Sequence, residues 1–197
     1  MIAAGGELAA QSIHGKEFFG ARLGGDYSPG YIDPTFGRGS VLEVHFLYGL
    51  GPWFGVETAL SSNDFGPSSD VDKNISFTGS DREIDLQIYS FTIGMLATKA
   101  VYPRLSTTIE AGPGLYSINA VLPQGYFEYQ RNEFRLGLYG GVGVVTRITR
   151  SFSIDLSGKW HYIFAGNDEW DTIPFFTGKN RAQYYEISIG ILMNTGS

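Results

Sequence analysis

Eight stretches of the chain alternate apolar and polar residues with a period of two, and that period leaves few folds open. In a strand, successive side chains point to opposite faces, so strict alternation marks a ribbon whose faces meet different media. The clearest stretch is Phe152–Phe164. Phe152, Ile154, Leu156, Trp160 and Tyr162 share one face, and Ser153, Asp155, Ser157, Lys159 and His161 share the other. Further strands are predicted over 16–27, 40–48, 53–61, 84–98, 105–118, 134–148 and 184–193. The fourth changes phase by one residue. Leu86 and Ile88 begin on the apolar face, and Tyr89, Phe91, Ile93 and Met95 then take it over. A β-bulge near Ile88, or growth of the strand beyond the bilayer, is expected there.

The connections have a rhythm of their own. Long polar segments at 28–39, 62–83, 119–133 and 165–183 alternate with short turns at Gly49–Pro52, Lys99–Arg104 and Thr149–Ser151. In bacterial outer-membrane barrels that asymmetry separates extracellular loops from periplasmic turns, and an even strand count leaves both termini in the periplasm. Residues 1–14 are read as a periplasmic leader, 15–194 as the barrel and 195–197 as a C-terminal tail. The first residues carry neither the cationic nor the long apolar part of a secretory signal. An exported barrel of this kind is expected to have lost a cleaved signal peptide.

Whether the apolar face points in or out is decided by volume. Eight strands enclose an interior just wide enough for packed side chains or one small ligand. The apolar face carries roughly 35 side chains, many of them Phe, Tyr, Leu or Ile, which is more than such a lumen holds. The opposite face, rich in Gly, Ser and Thr with scattered charges, suits a narrow interior. The expected fold is therefore an all-β, eight-stranded antiparallel up-and-down transmembrane barrel with lipid outside. Composition agrees: 17% of residues are charged, 15% are aromatic and 27 are Gly. The absence of Cys excludes disulfides and thiolate metal sites. A formal charge of −6 without a basic cluster argues against a nucleic-acid partner.

The inward set includes Arg22, Arg135, Arg147 and Lys159 as cations. Asp26, Glu43, Glu57, Glu110, Asp155 and Glu186 are the anions, and His45 and His161 share the same face. Charges taken out of water must be paired, so a lumen plugged by an ion-pair network is expected; a gated narrow pore is the alternative. Phe19, Tyr27, Trp53, Tyr102, Phe152, Trp160, Tyr162 and Tyr185 fall near strand ends and are expected to form interfacial aromatic girdles.

Three local patterns strengthen the architecture: Glu110-Ala111-Gly112-Pro113-Gly114, Gly140-Gly141-Val142-Gly143-Val144 and Tyr184–Met193. Over about residues 15–194 the chain resembles the small eight-stranded outer-membrane proteins: the OmpA transmembrane domain, OmpX and the opacity-protein-like barrels. The resemblance implies a monomer in the outer membrane of a Gram-negative (diderm) bacterium, surrounded by phospholipid and lipopolysaccharide, with partners met through the four long loops. Its functional range covers envelope integrity, adhesion and partner binding, with OmpW-like passage of small or hydrophobic solutes as the alternative. Many such barrels end in an aromatic residue, whereas this sequence runs Leu192-Met193-Asn194-Thr195-Gly196-Ser197.

Catalysis is not expected. Lipid A 3-O-deacylases carry a His-x-Ser pair on a strand, and here the strand reads His161-Tyr162-Ile163. The palmitoyltransferase type of barrel keeps its functional His near the outer surface, whereas His14 lies in the leader and His45 and His161 on the inner face. The segment Asp70-Val71-Asp72-Lys73-Asn74, with Ser76, Thr78 and Asp81, faintly echoes a calcium loop. Ile75 stands where the central Gly belongs, and Asp81 replaces the terminal Glu. It is read as a solvated loop, with no cofactor expected.

Overall fold

The computed structural model describes residues 12–28, 36–67, 85–124, 127–164 and 181–195. These form eight strands: β1 Glu17–Tyr27, β2 Phe36–Gly49, β3 Phe54–Pro67, β4 Asp85–Tyr102, β5 Leu105–Gln124, β6 Phe127–Arg147, β7 Phe152–Phe164 and β8 Arg181–Asn194. Neighbours in sequence pair antiparallel, and β8 closes on β1. The all-β closed barrel expected from the period is the one found.

The register fixes its width. Following Cα partners from Glu17 through Tyr48, Val56, Met95, Ala111, Gly140, Trp160 and Tyr185 returns to β1 at Tyr27, ten residues further on. Eight strands with that stagger need a tilt of about 40° and a backbone radius of about 8 Å, which leaves room for side chains and little else.

Pairing sets like beside like on the outer wall. Phe46, Phe19, Met193 and Phe152 form one row near the turns; Tyr27, Tyr185 and Trp160 form another toward the opposite rim. Along β1, β7 and β8 the rows stand eight residues apart, roughly 20 Å along the barrel axis on strands so tilted. Between them Leu23, Ile154, Leu156, Ile187, Ile189 and Ile191 all face outward, Ile187 with 68% of its surface exposed. Trp53 and Tyr102 are exposed near the turns. Tyr162 is half-buried on the outer face of β7, its ring centroid 5.8 Å from Trp160 and 5.3 Å from Phe164.

Two expectations need correction. The β-bulge near Ile88 is not there: the β3–β4 ladder runs unshifted from Phe54↔Ala97 to Phe65↔Leu86. Leu86 and Ile88 are inward and buried, and only Tyr89, Phe91, Ile93 and Met95 face out. The phase change arose from treating the lumen as polar along its whole height. The segment 119–133 is largely strand, because β5 and β6 stay paired from Leu105↔Thr146 to Gln124↔Phe127. Backbone pairing continues past the last apolar alternation, so hydropathy alone lost the strand. The segments 29–35, 68–84 and 165–180, which include the calcium-like stretch and most of three expected loops, lie outside the described residues.

At the turn end the chain enters β1 through a bend at Gly15, whose φ of 68° favours a residue without a Cβ. Ile13 N donates to Pro52 O at 3.1 Å, and His14 Nδ1 lies 2.9 Å from Leu50 O. Those contacts press the Ile13 side chain, buried, against the mouth of the barrel.

The inner glycines have a spatial reason. A Cβ at Gly190 would meet Ala21 O at 2.5 Å, Arg22 Cγ at 2.6 Å and Asp155 Oδ1 at 2.6 Å. Gly190→Val is expected to cost about 1–3 kcal/mol or more through this overpacking. Urea titration of the barrel in liposomes, read by its heat-modifiable gel mobility, measures the loss.

Candidate functional site

Each strand delivers its inner residues to a fixed height, and the heights differ in chemistry. The inner face of β4 reads Leu86, Ile88, Ser90, Thr92, Gly94, Leu96; that of β8 reads Ala182, Tyr184, Glu186, Ser188, Gly190, Leu192. Both run apolar, polar, apolar. Phe65, Leu86, Ile88, Ile118 and Ile163 make the layer remote from the turns, and Leu47, Leu96 and Leu192 the layer beside them. The charges lie between.

Glu43 on β2 is their hub. Its Oε1 accepts from Arg22 Nη1 at 2.5 Å and from Lys159 Nζ at 2.9 Å, and its Oε2 accepts from Lys159 Nζ at 2.8 Å. Arg22 also donates through Nη1 to Glu57 Oε1 at 3.0 Å and through Nε to Asp155 Oδ2 at 2.6 Å. Lys159 Nζ stands 3.6 Å from Glu57 and 3.7 Å from Glu110, and 5.7 Å from the centroid of the Tyr139 ring. His45 Nδ1 is 3.3 Å from Glu43 Oε1. All of these groups are buried, so each contact acts with little solvent screening.

Glu43, His45 and Glu57 also bring three ligand atoms within 4.8 Å of one another. The same Glu43 oxygen already serves Arg22 and Lys159, so two cationic side chains occupy the place a metal ion would take. The cluster is an ion-pair core.

A second group sits above it. His161 stacks on Tyr184 at 4.4 Å between centroids with a 2° interplanar angle, and more distantly on Tyr139 at 6.1 Å. Its Nδ1 lies 3.0 Å from Tyr116 OH, and its Nε2 lies 3.6 Å from Glu186 Oε2. Ser188 Oγ donates to Glu186 Oε1 at 3.0 Å. Asn63 donates to Ser61 Oγ and to Ile88 O, both at 3.0 Å. Tyr116, His161 and Glu186 thus follow one another in a chain of polar contacts, with the Tyr116 ring fully buried. Asp26 faces Glu186 across the β1–β8 seam, and neither of its carboxylate oxygens has a hydrogen-bond partner among the described residues.

Of the residues expected in the lumen network, Arg22, Glu43, His45, Glu57, Glu110, Asp155 and Lys159 meet in the central cluster, and His161 and Glu186 meet above it. Arg135 and Arg147 are elsewhere. Arg135 Nη2 donates to Glu133 Oε2 at 2.5 Å, above the point where β6 begins to pair with β7. Arg147 is the last residue of β6 and donates through Nη2 to Pro103 O at 3.3 Å, at the turn-end mouth. Strand parity set both facing inward but said nothing of height, and the long β6 carries them to opposite ends. The tyrosines 116, 139 and 184 were missed as site residues. Their part is revealed only by contact with His161, on which Tyr184 and Tyr139 stack and which Tyr116 meets edge-on at 5.8 Å between centroids.

No family model matches the sequence, and no curated protein matches it. Solved structures do. A major outer membrane protein from Thermus thermophilus is similar with a TM-score of 0.63 at 14% identity, over 92% of this chain and 100% of that one. Neisserial surface protein A gives 0.59 at 15% identity, over 91% and 96%. The outer membrane protein OprG from Pseudomonas aeruginosa gives 0.57 at 11% identity, over 96% and 99%. The chain thus shares the fold of small outer-membrane β-barrels, as its sequence resemblance implied.

Removing the hub leaves two buried cations without their shared anion. Glu43→Ala is expected to destabilise the barrel by about 3–5 kcal/mol, measured by urea unfolding in liposomes. Glu133→Ala, near the rim, is expected to change stability by about 1 kcal/mol or less.

Proposed function

We propose that this protein is an exported, monomeric outer-membrane barrel with a plugged lumen, acting as a rigid anchor that presents its loop-end rim to partners outside the cell. One observation carries the reading: polarity is inverted, with isoleucine and leucine outside and arginine, lysine and carboxylates inside. In water such a surface would drive aggregation; in a bilayer it is the favoured arrangement. The two aromatic rows suit the interfaces of an apolar band, and their roughly 20 Å separation is comparable with the ≈ 25 Å height typical of such bands. Phe19, Phe152, Trp53 and Tyr102 then mark the periplasmic interface, and Tyr27, Tyr185, Trp160 and Tyr162 the outer one.

A central ion-pair core between two apolar layers supports a closed lumen over a channel. Each layer disfavours water, and between them Arg22 and Lys159 tie Glu43, Glu57 and Asp155 together across the axis. Beyond the outer aromatic row the β5–β6 hairpin continues past Gly137↔Ile163, where β6–β7 pairing begins. With the segments 28–39, 62–83 and 165–183 it offers the surface through which lipopolysaccharide or a protein partner is engaged. The reading assigns no catalysis and no cofactor.

Planar-bilayer recording tests the plug. The wild-type barrel is expected to stay silent, and stable single-channel conductance overturns the plugged lumen in favour of narrow-pore transport. Membrane placement is tested separately. Ile189 faces outward at the height of the ion-pair core, beside Leu23 and Leu156. Ile189→Arg is expected to cost about 2–4 kcal/mol of folding stability in liposomes; a neutral effect removes the bilayer from that face.

A further inference from the structure

Above the ion-pair core the inner wall carries a second set of ligand-bearing side chains, and its electrostatics are the reverse. Asp26 on β1 and Glu186 on β8 are Cα partners across the seam, and both are buried. Among the described residues no lysine or arginine side chain reaches either carboxylate. Lys159 is the Cα partner of Glu186 on its other side, but its Nζ turns away to Glu43 at 2.8 Å, and Arg22 is engaged by Glu43, Glu57 and Asp155. Two adjacent carboxylates out of water without a positive partner are costly. His161, only 1% exposed, aims Nε2 at them. That atom stands 3.6 Å from Glu186 Oε2, and neither of the two has a hydrogen-bond partner.

At that spacing the two atoms are too far apart for a hydrogen bond. They are near the roughly 3.3 Å that two ligands of one tetrahedral ion keep when each lies about 2 Å from it. The far side of each group is already held. Tyr116 OH lies 3.0 Å from His161 Nδ1, and Ser188 Oγ donates to Glu186 Oε1 at 3.0 Å. Metal-binding histidines are oriented through the other ring nitrogen, and ligating carboxylates are hydrogen-bonded in turn. A proton on Nδ1, given to the Tyr116 oxygen, leaves a lone pair on Nε2. Both oxygens of Asp26 are likewise unpartnered.

We propose that Asp26, His161 and Glu186 form a binding site for a divalent transition-metal ion of the zinc type. An imidazole with carboxylates suits zinc, whereas calcium and magnesium take oxygen sets. One dication offsets the two carboxylates that Lys159 and Arg22 leave unmatched, and it ties β7, β8 and β1 together where the barrel closes. Glu43, His45 and Glu57 are the contrasting case, because there two cationic side chains already share the carboxylate. The site lies within the lumen and makes no use of the loop-end rim, so it goes beyond the anchor reading and does not rest on it.

The full chain is refolded from urea into neutral maltoside micelles with zinc, freed of loose metal by desalting and analysed for metal by plasma mass spectrometry. One zinc per barrel is expected. Asp26→Asn and His161→Gln should each lower the affinity at least about tenfold, and Tyr116→Phe, which removes the hydroxyl behind Nδ1, about tenfold. His14→Gln, in the exposed entry to β1, should keep the ion. Zinc is also expected to raise the urea midpoint of the wild type and to leave that of Asp26→Asn unchanged. The heat-modifiable gel shift verifies that each variant has folded. A folded wild-type barrel that keeps no zinc overturns the proposal, and so does undiminished zinc in either Asp26→Asn or His161→Gln.

Discussion

Glu43 holds the interior together. Two cations from opposite sides of the seam, Arg22 on β1 and Lys159 on β7, converge on its carboxylate, and Arg22 in turn ties in Glu57 and Asp155. Desolvating so many charges is costly unless geometry is good and the remaining lone pairs are met. The stagger of ten supplies that geometry. A narrower barrel would leave no room for an arginine stem beside Gly190, and a wider one would let the partners drift apart and admit water.

The apolar layers serve the same end. Leu47, Leu96 and Leu192 on one side and Phe65, Leu86, Ile88 and Ile163 on the other keep the charges from competing water. Low dielectric strengthens each pairing and raises the penalty for any group left out. Glycine provides clearance where side chains are large. A Cβ at Gly114 or Gly137 would crowd the Tyr116 ring, and one at Gly20 would collide with the His45 imidazole. The many glycines are the complement of a few large inward side chains.

Much of this was legible from alternation. Period two gave the strands, their number and the face of nearly every inner residue, and counting side chains against barrel volume turned the apolar face outward. Height was not legible, because parity is a one-dimensional rule and register is a relation between strands. That is why Arg147 and Glu110 shared one expected network although they stand at different levels. The phase change in β4 failed for a related reason. Leu86 and Ile88 belong to an apolar layer inside the barrel, and a rule that equates apolar with outside has no place for it. The continuation of the β5–β6 hairpin past Ile118 and Phe134 escaped notice because strands held by backbone pairing alone carry no hydropathic signature.

The closing seam between β1 and β8 also has a temporal meaning. Glu43 and Glu57 follow Arg22 closely in the chain and meet it within the first three strands, whereas Asp155 and Lys159 arrive from β7, more than a hundred residues later. Until the ribbon curls shut, the early arginine lacks its aspartate and the late lysine its glutamate. Sealing the cylinder and completing these ion pairs are therefore one event. An open sheet leaves Arg22 and Lys159 each short of a partner that only the closed ring brings within reach.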